Sequence, residues 1–292
     1  MEWLDKMNRA IAYVEEHLED KMDYRGAAQA ACCSEYHFQR IFSFITGIPL
    51  SEYVRRRKMT LAAFELQNGN GKVVDVAMKY GYDSPEAFAR AFQQLHGVTP
   101  SAARRRGVTV RAYPRLSFQI TMKGDCVMNY RIVNHPAFQL YGVERIFDTA
   151  DGRNLVEIPR FWNELRDSGE GVRLMHSTGF PTSLSAVCGY RSTGGTTFPY
   201  LIGCLKTALS DTEGYILIDV PASVWAVFST EPHSMDEMTD AVQTLTTRIY
   251  TDWLPTAGYE QVEGYDIENY WSTLDGRCYE EVWIRVRPKK QS

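Results

Sequence analysis

Arginine and glutamine side chains carry donors that reach base edges and phosphates, and in this chain they recur on two helical faces at a fixed offset. Tyr36, His37, Gln39, Arg40 and Ser43 share one face of a helical pattern, and Glu86, Ala87, Ala89, Arg90 and Gln93 share one face of another. The opposite faces are apolar. Phe38, Ile41, Phe42 and Ile45 in the first copy match Phe88, Ala91, Phe92 and Leu95 in the second, the spacing of helices buried on one side. A single Arg or Gln on an outer helical face is ordinarily just solvated; its duplication points to two nucleic-acid readers. Glu86 departs from the pattern, because a carboxylate accepts from cytosine N4 but repels phosphate, so the second copy reads a different base or contributes less.

Side chains of this kind need a frame that aims them. Each copy reads as a short small-residue helix, a turn opening on Ser34 or Ser84, the apolar-striped helix, and then Gly47 or Gly97, which is helix-turn-helix grammar. Between the copies, residues 50–67 are helix formers preceded by Pro49 and followed by Asn68-Gly69-Asn70-Gly71. Such a helix spans roughly 27 Å, close to the ~34 Å between successive major grooves on one face of a duplex. It carries the basic run Arg55-Arg56-Arg57-Lys58, of which Arg55 and Arg56 are the expected phosphate contacts, while Val54, Met59, Leu61, Ala62 and Leu66 turn part of the helix inward.

These residues resemble the AraC/XylS transcription regulators. The resemblance rests on Tyr36-His-Phe-Gln-Arg-Ile-Phe42, on Tyr53-Val-Arg-Arg-Arg-Lys-Met-Thr60, and on the stretch from Ala77 to Ser101 that closes with Thr99-Pro100-Ser101 ahead of Arg104-Arg105-Arg106. It covers about the first third of the chain. It implies an all-α domain with two helix-turn-helix units that binds promoter DNA sequence-specifically, with the residues just after each turn serine, Tyr36, Gln39 and Arg40 and then Glu86, Ala87 and Arg90, as the DNA contacts and RNA polymerase as a further partner. Two readers on one chain remove the need for a dimer to reach two half-sites, so a monomer on DNA is expected.

The 292 residues suit two domains or so, and the charge divides between them. Residues 1–107 hold 15 basic against 13 acidic side chains and the remainder 17 against 23, within an overall net charge of −4. Positive charge for DNA must therefore be clustered on one face. Helical periodicity stops near Arg106, and Gly107, Pro114 and Gly124 punctuate an extended stretch, so the expected domains are 1–107, a linker 108–124, and 125–292. No leader or twenty-residue apolar run is evident, which predicts a soluble cytoplasmic protein without membrane contact. Six scattered cysteines without a CxxC pair read as buried small hydrophobes. Cys32, Cys33 and His37 fall inside the first reading unit, so no metal and no cofactor is expected.

Beyond residue 125 the pattern becomes alternating and aromatic. Candidate strands are Val127 to Val133, Gln139 to Arg145, Leu184 to Tyr190, Tyr215 to Val220, Val224 to Ser229, Gln261 to Tyr270 and Glu280 to Val286; candidate helices run from Val156 to Arg166 and from Met235 to Trp253. His135-Pro136-Ala137 and Val220-Pro221-Ala222 each precede a strand and a helix ending Leu-x-x-x-Gly, a half-repeat that predicts an α+β domain of two pseudo-symmetric halves with a cleft between them. Trp162, Tyr190, Trp225, Trp253 and Trp283 belong to an aromatic population of which part lines a pocket for an aromatic or cationic lipophilic molecule.

This segment is similar to the GyrI-like small-molecule-binding domain, on the residues Ile158-Pro-Arg-Phe-Trp162, Val220-Pro-Ala-Ser-Val-Trp-Ala-Val-Phe228, Ile249-Tyr-Thr-Asp-Trp-Leu-Pro255 and Glu280-Glu-Val-Trp-Ile-Arg-Val286. The resemblance implies a small-molecule effector held in the cleft, with Glu281 of the closing strand as the carboxylate that receives a cation. A solvent-facing or Arg-paired Glu281, for instance on Arg191, is the alternative. Arg285 stands where the family usually has Pro. The expected function is a one-component, non-enzymatic regulator. Against it stand a hydrolase of small reactive electrophiles, with Glu281 as base and Tyr190 as donor, and an architectural DNA binder without a ligand site.

Overall fold

The computed structural model describes residues 2–69, 71–119, 127–179, 183–273 and 275–289. Seven helices come first: α1 (Glu2–Glu16), α2 (Tyr24–Ala30), α3 (Glu35–Thr46), α4 (Leu50–Asn68), α5 (Val73–Lys79), α6 (Pro85–His96) and α7 (Pro100–Ala103). The pairs α2–α3 and α5–α6 have equal lengths, 7 and 12 residues in each pair. Ser34 and Ser84 stand at the N-caps of the longer helices. Both helices end on a left-handed glycine, Gly47 at φ 71° and Gly97 at φ 77°, whose N–H closes on the carbonyl of Ser43 or Gln93. A side chain would be strained in that conformation, and Gly is not.

The apolar stripes go inward as their spacing predicts. Phe38, Ile41 and Phe42 are buried, as are Phe88, Phe92 and Leu95. They enter different cores. The second pair packs with Met59, Ala62, Leu66 and Tyr80 in a cluster drawn wholly from the first 113 residues. The first pair packs with Ala226, Phe228, Ile249, Tyr250, Leu254, Val282 and Ile284, so its core is continuous with that of the C-terminal domain. The stretch read as a linker is extended and tied down over residues 113–118: Arg57 donates to the Tyr113 carbonyl (2.6 Å), Leu116 N–H to the Tyr53 hydroxyl (3.1 Å), and the Asn8 amide pairs with both backbone groups of Phe118.

The C-terminal domain comprises β1 (Tyr130–His135), β2 (Phe138–Asp148), α8 (Arg153–Asp167), α9 (Glu170–His176), β3 (Leu184–Cys188), β4 (Thr197–Leu205), β5 (Ile216–Val220), β6 (Ser223–Ser229), α10 (Met238–Arg248), β7 (Tyr259–Gln261), β8 (Asp266–Ser272) and β9 (Cys278–Pro288). The antiparallel sheet runs β1-β6-β9-β8-β3-β4-β2-β5, with β7 on β9. Read from either end toward the central β8–β3 pair, the order is the same once β1–β4 are matched to β5, β6, β8 and β9, and the first strand of each half sits on the edge of the other. Two pseudo-symmetric halves are therefore present, though each is ββαββ rather than a simple βαβ. Sequence reading missed β4 and α9, and ran β7 and β8 together across the turn at Gly264 (φ +91°).

Candidate functional site

The sheet's helix-facing side carries an acidic floor at the junction of the halves. Strand alternation decides which residues compose it. Phe228, Val282, Glu268, Ala186 and Ile202 form one row across five strands, and Asp266 lies beside Cys188, which lies beside Tyr200. Asp266 and Glu268, two residues apart on β8, thus point to the same side. Tyr200 and Tyr270 stand around them, Trp162 of α8 donates to the Tyr200 hydroxyl at 3.0 Å, and Gln261 bridges Asp266 and the buried Tyr250 hydroxyl. Burial pushes the Glu268 carboxyl above its ordinary range, opposed by Arg40 and the Tyr270 hydroxyl, and pushes Tyr200, Tyr250 and Tyr270 upward. Uncompensated carboxylates in such surroundings are costly, so the floor demands a cation.

That cation comes from the first helix pair. The Arg40 guanidinium reaches Asp266 at 2.6 Å and Glu268 at 3.7 Å, with only 9% of Arg40 exposed. Burial works against its charge, yet Cys188, Asp266, Tyr250 and Glu268 hold its pKa well above the ordinary arginine value. One turn earlier, Tyr36 is 8% exposed and stacks on Phe198 with ring centroids 5.4 Å apart and planes 17° from parallel. Its hydroxyl lies against Gly189, where a Cβ would come within 2.0 Å of it. At the start of α3, Ser34 donates from its backbone N–H (3.1 Å) and its hydroxyl to Glu263. Near the helix's end, Thr247 of α10 donates to the Phe44 carbonyl at 3.1 Å. The C-terminal domain therefore grips α3 over nearly its whole length.

Tyr36, Gln39 and Arg40 were expected on an exposed face, and the structure corrects this: all three are buried. The reason is a partner surface that helical periodicity cannot announce. Glu86 and Arg90 lie exposed on α6, with Ala87 half-buried. Arg55 and Arg56 are half-exposed and both bonded to Glu52, Arg57 is buried on Glu15, and Lys58 donates to the Asp20 carbonyl. Arg104, Arg105 and Arg106 are exposed.

The expected cleft residues do not converge. Trp162 stands beside the acidic floor, and Trp253 packs against Phe228 and Tyr130. Glu281, Trp225 and Trp283 lie on the other side of the sheet, in the strand phase opposite to Val282 and Ile284. There Glu281 is paired with Arg131 (2.7 Å) and accepts from Trp283 (3.0 Å), and Trp225 and Trp283 pack edge to face. Tyr190 belongs to the same apolar cluster as Trp225 and donates its hydroxyl to Glu144, which also pairs with Arg191. Arg285 donates to Ser223 at 3.1 Å and so stays out of the cleft. Sequence reading missed Asp266, Glu268 and Glu263. The signal available was acids at alternate positions of one strand, Asp266 and Glu268, followed in phase by Tyr270.

Among the described residues, one group has the donors for a metal: His233, Cys278 and Glu280. The imidazole there is already fully engaged, with Nε2 on Glu280 at 2.7 Å and Nδ1 on the Ser234 carbonyl at 2.8 Å. Burial raises the Cys278 thiol, the wrong direction for a nucleophile.

A helix-turn-helix domain model matches residues 27–106 and the GyrI-like small molecule binding domain model matches residues 128–287. The HTH-type transcriptional activator AarP of Providencia stuartii is 38% identical over 98 residues, covering 34% of this chain and 73% of that protein. The regulatory protein SoxS of Escherichia coli K12 is 34% identical over 96 residues, covering 33% and 90% respectively. The right origin-binding protein of Escherichia coli K12 is 24% identical over 277 residues, covering 92% of this chain and 91% of that protein.

Proposed function

This chain belongs to the AraC-type transcriptional regulators that carry a GyrI-like small-molecule-binding domain, and from that premise we propose that it is a one-component switch: residues 1–107 bind promoter DNA and the domain from about residue 125 senses an aromatic cation. The observation that carries the reading is the acidic floor of Asp266 and Glu268, ringed by Trp162, Tyr200, Tyr250 and Tyr270 and occupied by a guanidinium. Buried carboxylates facing flat rings favour a ligand that is both cationic and aromatic, since the charge offsets desolvation and the rings supply stacking area. Arg90 and Gln93 of α6, with Arg104 to Arg106, supply exposed donors for a first contact with DNA, and Arg55 and Arg56 join them by exchanging Glu52 for phosphate. The working unit on DNA is a monomer, acting in the cytoplasm and contacting RNA polymerase. No described helix is long and apolar enough to cross a membrane.

The hydrolase alternative finds no matching geometry: Tyr190 and Glu281 are committed to different partners, Glu144 and Arg131. The deciding experiment is a footprint on DNA upstream of the chain's own gene, at several salt concentrations and against scrambled competitor, with calorimetric titration of benzamidine alongside. Specific protection and stoichiometric, saturable benzamidine binding are expected. Protection no better than competitor, together with no measurable heat, would remove the reading.

A further inference from the structure

We propose that α3 is itself the resident ligand of the cleft, so that cleft binding and major-groove binding by the first helix pair exclude one another, and that a small aryl amidinium or guanidinium taking the Arg40 seat sets α3 free. The proposal rests on the cleft being a cation-binding site.

The geometry is that of a ligand in a pocket. Tyr36, Arg40 and Phe44 fall one turn apart on the same stripe of α3, and each meets a different part of the C-terminal domain: a ring, two carboxylates and a hydroxyl donor. Tyr36 supplies the flat ring and Arg40 the charge, the two features the cleft asks of a small molecule. Ser34, at the N-cap, is held by Glu263 rather than capping its own helix. The face so engaged, from Tyr36 through Gln39 and Arg40, is the face a helix would present to base edges, and a major groove about 12 Å wide cannot admit it while the sheet and α10 cover it. α6, with no such cover, is free to dock throughout.

Exclusion makes a quantitative demand. The first pair's apparent affinity for DNA falls by the fraction of time α3 is out of the cleft, so a ligand that empties the seat must raise it. A cavity of about 250 Å³ already flanks α3 on the side of His37 and Ile41, bounded by Trp3, Tyr259 and Glu263, and His37 Nδ1 is buried there without a hydrogen-bond partner. This leaves room beside the helix as it withdraws.

The test uses the full chain, a duplex selected by it from a randomised pool, and benzamidine as probe. Wild type should protect one major groove. Benzamidine should extend protection to a second groove and tighten binding tenfold or more, and Asp266→Asn, which keeps the shape but removes the nearer of the two charges that hold Arg40, should do the same without the probe. Glu263→Ala, at an exposed position, is the second variant and should shift affinity in the same direction by a smaller factor. Arg40→Ala should bind benzamidine at least tenfold more tightly than wild type, because the internal competitor is gone, and benzamidine should raise its melting temperature by more than it raises that of wild type. Protection of two grooves by untreated wild type, with affinity unchanged in both variants, overturns the proposal. Equal benzamidine affinity in wild type and Arg40→Ala, with DNA binding unmoved, also overturns it while leaving the cation sensor intact. If benzamidine binds neither protein but Asp266→Asn still gains the second groove, exclusion stands and the sensor reading fails.

Discussion

α3 and α6 are helices of equal length, each behind a serine N-cap and ahead of a left-handed glycine, and they differ in what their serines do. Ser84 accepts from the Ala87 N–H at 3.1 Å and caps its own helix; Ser34 gives its hydroxyl to Glu263 of the other domain. The same divergence runs down both helices. Arg40 is sealed against Asp266 whereas Arg90, fifty positions on, is exposed, and Phe42 enters a core shared with β6 and β9 whereas Phe92 enters one built only from the N-terminal residues. A repeated motif thus supplies one helix with an exposed outer face and one whose outer face is covered by the other domain, with no change in the local folding rules.

Substitutions at matched positions sharpen or break that contrast. The largest effects belong to the cores: Phe42→Ala and Phe92→Ala should each cost ~3 to 5 kcal/mol. Hydrogen exchange should show Phe42→Ala loosening β6 and β9 and Phe92→Ala leaving them untouched; equal loosening by both would dissolve the distinction between the two cores. Arg40→Ala strands the buried Asp266 carboxylate, which among the described residues keeps Gln261 alone as side-chain donor, and should cost ~3 kcal/mol in chemical denaturation. Arg90→Ala, on the open face, should stay within about 0.5 kcal/mol. Ser84→Ala should remove ~1 kcal/mol of helix stability as a lost N-cap, while Ser34→Ala should lower the protection of α3 amides against exchange without that capping loss.

The smallest effect is one of pH. His96, at the end of α6, is buried against Phe92 with Nε2 3.1 Å from the Met59 carbonyl, and burial lowers its pKa below the ordinary 6.5. The unfolded chain therefore takes up a proton before the folded one does, and the stability from neutral His96 is present above about 6.5 and declines as pH falls through that value toward the lower folded pKa. The first pair has Thr46 at the matching place, so mild acid should raise exchange in α5–α6 ahead of α2–α3. The reverse order would refute the assignment.

Much of this architecture is legible in the residues. The two apolar stripes, the serine and glycine bounds of α3 and α6, the α4 spacer and most strands follow from spacing and capping chemistry, which act within a few residues. β4 escaped because Thr197 to Leu205 is buried on both faces and shows no alternation. The carboxylate of the site was misplaced by one strand: β9 carries acids in both phases, and only pairing shows that Glu268 shares a face with Glu280 and Val282 while Glu281 points the other way.

By itself, then, the sequence determined α3, α4 and α6 with their apolar faces, the change from helical to alternating pattern and the pseudo-repeat, since each is encoded in local periodicity. What covers α3 is decided only in three dimensions. The contacts that bury it, Arg40 to Asp266 and Ser34 to Glu263, join residues 226 and 229 positions apart. Arg40 and Arg90 occupy matching places, each two residues ahead of a buried Phe, and that local frame does not say which of them is covered. The difference is the charge and shape of a distant sheet, which long-range packing alone brings to one helix and withholds from the other.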